Sequence, residues 1–546
     1  MANFKDKVVY QIYPKSFNDT NNDGYGDIKG ITEKLDYLKE LGIDMIWMCP
    51  IFVSRQKDSG YDVSDYYNID PKFGTMEDLE ELIEEAKKRN IYLMFDMVFN
   101  HTSTHHQWFK EAMKGNQRYK DYYFFKKPKE DGSMPTNWDS KFGGKAWEYV
   151  PEFGEYYLHL YDEEQADLDW TNKEVREELY KIIRYWLDKG IRGFRFDVVN
   201  NIDKRSFEDC PNGIGKQFYC DQPKVHEYLH EMNINTFGKV ENCITVGEMS
   251  ATSVENCIGY TNPDNHELDM VFSFHHLKVD YKNKEKWTSM AFDFEELKSL
   301  LHTWQVEMQN GHGWNALFWN CHDQPRSVSR FGDDKKYRKE SAKMLAATMH
   351  LMRGTPYIYQ GEEIGMTNHY FTDIKQYRDV ESINAYHILK DKGVKEEQIH
   401  QILQEKSRDN SRTPMQWDHT ENGGFSKATP WLQLNKNYKE INVENDLKDP
   451  DSIFKFYQQL IRLRKEYTII SDGSYEPYLE KHHSVFAYKR HYQNEELVVF
   501  NNFYGKETTV ELENIKDYKV LISNYKEHDL KDTLTLRPYE TIALYK

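Results

Sequence analysis

The sequence predicts an α/β fold, a (β/α)8 TIM barrel with an inserted subdomain after the third strand and an all-β sandwich domain at the C-terminus. Three observations lead there. Short apolar runs alternate with amphipathic helical stretches, as in parallel βαβ units. The alternation breaks once, between Asn100 and Trp170, into an aromatic and Gly-rich stretch. After about residue 475 it gives way to alternating segments such as "SVFAYKRHY", "ELVVFNNF", "TTVELE" and "TIALYK". The expected boundaries are 1–100 and 173–474 for the barrel, 101–172 for the insert and 475–546 for the sandwich.

The first apolar run is "VVYQIY" at 8–13, followed by a helix on Leu35, Leu38 and Leu41 that Gly42 stops, and then by "IDMIWMCP". Thr75 with Asp78 three residues on has capping-box spacing and opens a helix whose apolar face is Met76, Leu79, Leu82, Ile83 and Ala86. "IYLMFDMVF" follows. Beyond the insert, a helix capped at Asn172 carries Val175, Leu179, Ile182, Ile183 and Trp186 and ends at Gly190, just before "IRGFRFDVV". The runs "CITVGE", "LDMVFSF", "NALFWNCHD" and "TPYIYQGEE" bring the total to the eight that close a barrel. The polar stretch from Asp373 to Glu405 reads as a surface excursion.

Composition narrows the function. With 90 Asp and Glu against 72 Lys and Arg, the net charge of -18 disfavours a nucleic-acid partner, because phosphate backbones want a basic face. Aromatic residues, at 15%, suit sugar stacking as well as core packing. The six cysteines lack CxxC spacing and sit mostly in apolar runs, as reduced core thiols do. No apolar stretch approaches the ~20 residues of a membrane span, and "MANFKDKVVYQIY" carries no cleavage signature. A cytoplasmic monomer acting on a small molecule, free of membrane and nucleic acid, is the expectation.

In a parallel barrel the C-terminal ends of the strands carry function. Four ends stand out: "FDMVFNH" with Asp96, Asn100 and His101, "GFRFD" with Arg195 and Asp197, "TVGE" with Glu248, and "FWNCHD" with His322 and Asp323. One carboxylate alone would read as a surface acid, but three at the ends of strands of one barrel point to acid–base chemistry.

In these motifs, taken in order, the chain resembles the α-amylase family of glycoside hydrolases. "SGYDVSDYYNIDPKFGT", "QADLDW" and "SRDNSRTPMQWD" resemble its α-glucosidase branch. The resemblance implies Asp197 as nucleophile, Glu248 as general acid and then base, and Asp323 as stabiliser of the distorted sugar. Retaining hydrolysis needs such a pair of carboxyl groups ~5 Å apart, one ionised and one protonated. Arg195, on the same strand face as Asp197, is expected to keep the nucleophile ionised. The family places Asp58, Tyr61, His101 and His322 on the sugar. Arg412 is expected to pair with Asp58 and close the far end of the pocket, the exo-acting arrangement.

"NDTNNDGYGD", residues 18–27, has the spacing of the first half of an EF-hand loop, but its twelfth position is Gly30 rather than Glu and no long helix precedes it. The resemblance implies instead a structural Ca2+ loop formed by Asp19, Asn21, Asp23, the Tyr25 carbonyl and Asp27, with no organic cofactor. Oxygen donors alone favour Ca2+ or Mg2+.

Two substrate classes stay open. Val198, after the nucleophile, resembles the α-1,6 and trehalose-phosphate members, and "FSFHHLKVDY", "QFYCDQPKVHEYLHEMN" and "GEMSATSVENCIGYTNP" resemble those that hydrolyse trehalose 6-phosphate. The alternative is an oligo-1,6-glucosidase acting on isomaltose-like ends. A phosphorylated disaccharide needs a cation beyond the cleavage subsite, which Lys278, with His275 or His276, is placed to supply. A third class, the inactive barrels that accompany amino-acid transporters, is expected to lack some of the carboxylates and to carry a membrane anchor. Cys49, Arg55 and Cys321 depart from the family pattern without removing a catalytic group.

Overall fold

The computed structural model describes residues 4–546. Eight strands form one sheet: β1 (Val9–Ile12), β2 (Met45–Met48), β3 (Tyr92–Met97), β4 (Gly193–Phe196), β5 (Ile244–Met249), β6 (Met270–Ser273), β7 (Ala316–Leu317) and β8 (Thr355–Tyr359). Sequence neighbours pair from β1 through β6, β7 pairs with β8, and β8 returns to β1 with Tyr357 opposite Val9 in a parallel ladder. Last strand beside first is the order of a (β/α)8 barrel. Each strand lies within or overlaps one of the eight expected apolar runs. Those runs are apolar on both faces because β1, β2 and β4 are buried at every position. The strand in "NALFWNCHD" is only two residues long, and the next carbonyl, Phe318 O, takes a side-chain hydrogen bond from His276 Nε2 at 2.8 Å.

The chain divides into two compact units, one of Trp47–Lys87 and Tyr92–Phe274, the other of residues 4–46, Lys88–Ile91 and His275–Lys546. In the first, the Thr75–Asp78 pair forms reciprocal hydrogen bonds of 2.9 and 3.2 Å at the start of helix Met76–Lys88. Helix Lys173–Asp188 opens with Asn172 accepting from Glu174 N at 2.9 Å, buries Val175, Leu179, Ile182, Ile183 and Trp186, and is followed by Gly190 at φ 103°. The insert leaves and rejoins the barrel through a two-stranded antiparallel ribbon, His101–Ser103 against Gln165–Asp167. Beyond it a three-stranded antiparallel sheet (Phe125–Lys126, Glu155–Leu158, Trp147–Val150) packs around Phe124, Trp138, Trp147, Leu158 and Leu160. That core also takes in Val198, Cys210 and Tyr219, so the loop after β4 shares the insert's packing.

In the second unit the stretch Asp373–Glu405 differs from the expected surface excursion. Helices Val380–Asp391 and Glu396–Lys406 bury Tyr386, Leu389, Ile399, Ile402 and Leu403 against Phe371, Tyr377 and Leu432. Their apolar positions are diluted among Lys and Glu, which hid the helical period. At the C-terminus a five-stranded antiparallel sheet, β9 (Ser474–Tyr478), β10 (Val485–Tyr492), β11 (Glu495–Asn502), β15 (Thr541–Tyr545) and β13 (Lys519–Ser523) in that order, faces a ribbon of β12 (Thr508–Glu511) and β14 (Thr533–Leu536). Val498, Phe500 and Ile542 of the one meet Val510, Leu534 and Leu536 of the other in a single core, a sandwich.

Trp186 ties the first unit together. Its ring centroid lies 5.6 Å from that of Phe52 and 4.9 Å from that of Phe95, and Nε1 donates to Tyr66 O at 2.9 Å. Trp186→Ala should therefore cost about 3–5 kcal/mol, read as a lower denaturant midpoint with an unchanged slope. A loss under 1 kcal/mol would show that the site is not packed in this way.

Candidate active site

The first cluster of titratable groups stands at adjacent strand ends. In the β3–β4 ladder Arg195 is opposite Asp96, and in the β4–β5 ladder it is opposite Val246, two residues before Glu248. Strand alternation sends Arg195 and Asp197 to the same face. The Arg195 guanidinium, 1% exposed, serves three carboxylates: Nη1 donates to Asp96 Oδ1 and to Asp197 Oδ1, both at 2.6 Å, and Nη2 to Glu248 Oε2. Its flat faces meet Trp47 at 5.1 Å and Tyr61 at 5.7 Å. The second oxygen of Asp96 accepts from Trp47 Nε1 at 3.1 Å and from Tyr61 OH at 2.8 Å.

Burial pushes Asp197 up to about 6 although Arg195 pulls it down, so the carboxylate is mostly ionised at neutral pH. Asp96 is raised to about 6 for the same reason, against Arg195 and the Tyr61 hydroxyl. Sequence reasoning found Arg195 but gave it one partner; Asp96 was visible in "FDMVFNH", and only the ladder register shows that it shares the guanidinium. Directly after Asp197, Val198 sits at φ 37°, ψ 38°, a left-handed conformation that a β-branched side chain adopts at a cost of about 1–3 kcal/mol.

His101 is 1% exposed, and burial lowers its pKa to about 4, so it is neutral at pH 7. Its Nε2 lies 3.0 Å from Tyr61 O, which can only accept, and Nδ1 lies 3.0 Å from Asn100 Nδ2. The Nε2–H tautomer follows. Asp58 is on the same turn, its carbonyl accepting from Tyr61 N at 3.1 Å. Behind them a buried lysine that no motif signalled, Lys204, bridges Asn100 Oδ1 at 2.8 Å and Asp167 Oδ1 at 2.9 Å. It joins the loop after β4 to the closing ribbon of the insert.

The second cluster centres on Asp323. Its Oδ1 accepts from Arg408 Nη1 at 3.0 Å and Arg412 Nη2 at 2.9 Å, and its Oδ2 lies 3.1 Å from His322 Nε2. Gln11 Nε2 is 2.8 Å from His322 Nδ1, which directs the ring proton to Nε2. Burial alone would raise Asp323, but His322, Arg408 and Arg412 together hold it well below the usual carboxylate range. Arg412, expected to face Asp58, spends Nε on His322 O at 2.8 Å and approaches Asp379 with Nη1 at 3.5 Å. Arg408 also grips Asp379, with Nε to Oδ1 at 3.0 Å. Arg408 lies in the quoted "SRDNSRTP" motif and was passed over; Asp379 sits in the stretch taken for a surface excursion.

His276 is no cation: Nε2 is committed to Phe318 O, and burial lowers its pKa to about 4. Lys278 is exposed, its N–H donating to His275 O at 3.1 Å. In the 19–27 loop the candidate ligands mostly serve the loop itself. Asp19 accepts from Asn22 N at 2.7 Å and Gly24 N at 2.9 Å, Asn21 Oδ1 from Asp23 N at 2.9 Å, Asp23 Oδ1 from Tyr25 N at 2.8 Å, and Asp27 from Thr20 N at 2.8 Å and Gly30 N at 2.7 Å. Among the described residues no group of three His, Cys, Asp or Glu could hold a metal ion.

A model of the alpha-amylase catalytic domain matches residues 11–473. The chain belongs to the α-amylase family. A second model, the alpha-amylase SusG C-terminal domain, matches residues 485–543 of this α-amylase family chain. The trehalose-6-phosphate hydrolase of Bacillus subtilis (strain 168) is 56% identical over 99% of this chain and 97% of its own length. The oligo-1,6-glucosidase of Parageobacillus thermoglucosidasius is 48% identical over 100% of this chain and 98% of its own. The crystal structure of Bacillus licheniformis trehalose-6-phosphate hydrolase, 56% identical, superposes with a TM-score of 0.96 over the whole of both chains.

Asp96, Asp197 and Glu248 all pair with the one Arg195 guanidinium. Arg195→Gln should destabilise the protein by about 3–5 kcal/mol at pH 8. Orphaned carboxyl groups take up protons in the folded state, so their folded pKa values rise above the unfolded ones, and part of the loss should return as pH falls from 8 to 5. Denaturant melts at both pH values test this, a pH-independent loss being the contrary outcome.

Proposed function

We propose that this protein is a retaining exo-α-glucosidase that hydrolyses trehalose 6-phosphate to glucose and glucose 6-phosphate. The observation that carries the hydrolytic reading is the guanidinium shared by Asp197 and Glu248 at adjacent strand ends. A common tether supports the close spacing, about 5 Å, of a nucleophile–acid pair over the wider gap of an inverting pair. Asp197, ionised at neutral pH, attacks C1 as the glycosidic C1–O bond breaks, and Glu248 gives its proton to the departing oxygen of glucose 6-phosphate. A water then attacks C1 of the glucosyl ester, Glu248 takes its proton, and Asp197 leaves as carboxylate. Asp323, kept ionised by His322, Arg408 and Arg412, is the stabiliser of the oxocarbenium-like state. In this reading Asp58, Tyr61, His101, His322, Arg195 and Arg412 contact the sugar, and Lys278 is the cation that the sequence offered for the phosphate.

The substrate assignment is supported by the two hydrolases at 56% identity, against 48% for the oligo-1,6-glucosidase, which is the second reading. All six cysteines are free thiols, which supports a reducing, cytoplasmic setting. No helix among the described residues is long and apolar enough to cross a membrane. We assign the protein as a monomer.

Glucose release from trehalose 6-phosphate, trehalose and isomaltose, followed in parallel, decides the substrate. The phosphorylated sugar should be turned over fastest, and fast hydrolysis of isomaltose with none of the phosphate ester would install the second reading. Asp197→Asn should lower kcat at least 10^4-fold, as loss of a covalent nucleophile does, with an unaltered melting profile.

The 19–27 loop offers a cation oxygens from Asp19, Asn21, Asp23, the Tyr25 carbonyl and Asp27, and Asn21 Nδ2 donates to Asp23 Oδ2 at 3.3 Å within it. Carboxyl and carbonyl oxygens keep lone pairs beyond those used by the amides, and such oxygens are the donors a hard cation takes. Bound Ca2+ would stiffen this loop, outside the carboxylate cluster. Calorimetry should show a higher Tm in calcium than in chelator; identical melts would leave an Asx-rich turn held by its own hydrogen bonds.

A further inference from the structure

Lys141 lies in the insert, on a tight turn pinned from both sides. Its N–H donates to Leu160 O at 2.9 Å, Ser140 N donates to Gly144 O at 3.0 Å, and Ser140 Oγ donates to Tyr161 O at 2.5 Å. The ammonium is therefore carried by fixed backbone. Other lysines of the insert hold carboxylates: Lys120 pairs with Glu155, Lys129 with Asp209 and Lys145 with Asp139. Lys141 pairs with none among the described residues. Its Nζ donates to Ser250 Oγ at 2.7 Å and rests against the rings of Tyr161 at 5.2 Å and Tyr219 at 5.4 Å. A half-buried ammonium given a neutral hydroxyl and two aromatic faces is short of an anion. Burial accordingly lowers its pKa to about 8, with Lys216 adding repulsion.

The position is informative. Ser250 is two residues beyond Glu248, just past the end of β5, and the Glu248 charge acts on Lys141. Tyr161, the ring under Lys141, lies 5.3 Å from the His101 ring and feels the charges of both Asp197 and Glu248. A general acid stands beside the departing half of its substrate. In trehalose 6-phosphate that half carries the phosphate on C6, one sugar ring away from the oxygen being protonated.

We infer that Lys141, with the Ser250 hydroxyl and aided by Lys216, is the binding site for the 6-phosphate of the leaving sugar. The inference rests on the phosphorylated-disaccharide reading above and deepens it. The ammonium supplies the charge, Ser250 Oγ turns its proton to a phosphate oxygen, and the dianion restores to Lys141 the counter-charge that the fold withholds.

Lys141→Met, Lys141→Arg and Lys278→Ala are compared with the parent protein, using trehalose 6-phosphate and an uncharged aryl α-glucoside as substrates and glucose 6-phosphate as inhibitor of aryl glucoside cleavage. Lys141→Met should raise KM for the phosphorylated substrate about 30-fold more than for the aryl glucoside, as loss of a charge-assisted hydrogen bond would. The Ki of glucose 6-phosphate should rise in step, and Lys141→Arg should recover much of both. Equal effects on the two substrates, or a selective loss confined to Lys278→Ala, would overturn the assignment. If the parent protein cleaves isomaltose and not trehalose 6-phosphate, the substrate reading fails. The inhibition arm then still decides Lys141: a selective rise in Ki upholds an anion site and an unchanged Ki removes it.

Discussion

A single buried guanidinium governs the chemistry at the ends of β3, β4 and β5. Three carboxylates placed there without a cation could not all ionise in so dry a setting, and the strand ends would repel one another. Arg195 makes the arrangement tenable and also unequal. Asp96 is further fixed by Trp47 and Tyr61, which leaves it a supporting role beside Asp197 and Glu248. Around Asp323 the balance is reversed. Two arginines and a histidine converge on one carboxylate, and Asp379 shares the two arginines. The first cluster is thus rich in acid, able to hold and release a proton near neutrality, and the second is rich in base, committed to a permanent negative charge.

Much of this was legible in the chain. The strands announce themselves because a parallel barrel buries both faces, and helix ends at Asn172, Gly190 and Gly42 follow from local capping chemistry. The strand-end carboxylates are legible for a related reason: they interrupt apolar runs where no core residue would. What escaped depends on partners distant in sequence. Arg195 is 99 residues from Asp96 and 53 from Glu248, and Lys204 is 104 from Asn100. No local pattern encodes such pairs. The Asp373–Glu405 stretch failed differently, since its helices bury a narrow stripe among many charges. His276 failed because a histidine's charge depends on burial, which its neighbours in sequence do not report.

Val198 links the strand-end carboxylates to the packing beneath them. Its left-handed backbone turns the chain sharply after Asp197, and its side chain is anchored in the core that the insert forms with the loop after β4. Strain beside Asp197 is thereby offset by apolar burial on the far side of the turn. The same core positions Tyr161 and Tyr219, so the turn at Val198 and the placement of Lys141 both depend on how one aromatic cluster packs.

The two-stranded ribbon His101–Ser103/Gln165–Asp167 has an evolutionary corollary. Because the excursion is pinched shut at its neck, the entropy of closing it is met there, and lengthening its outer reaches adds only logarithmically to that cost. Segments outside the core that Trp138 and Trp147 share with Val198 can be extended or trimmed at little cost to the register of β3 and β4. Relatives could diversify their taste for what hangs on the departing sugar by rewriting the outer part of this appendage, so long as the aromatic core under Val198 is kept.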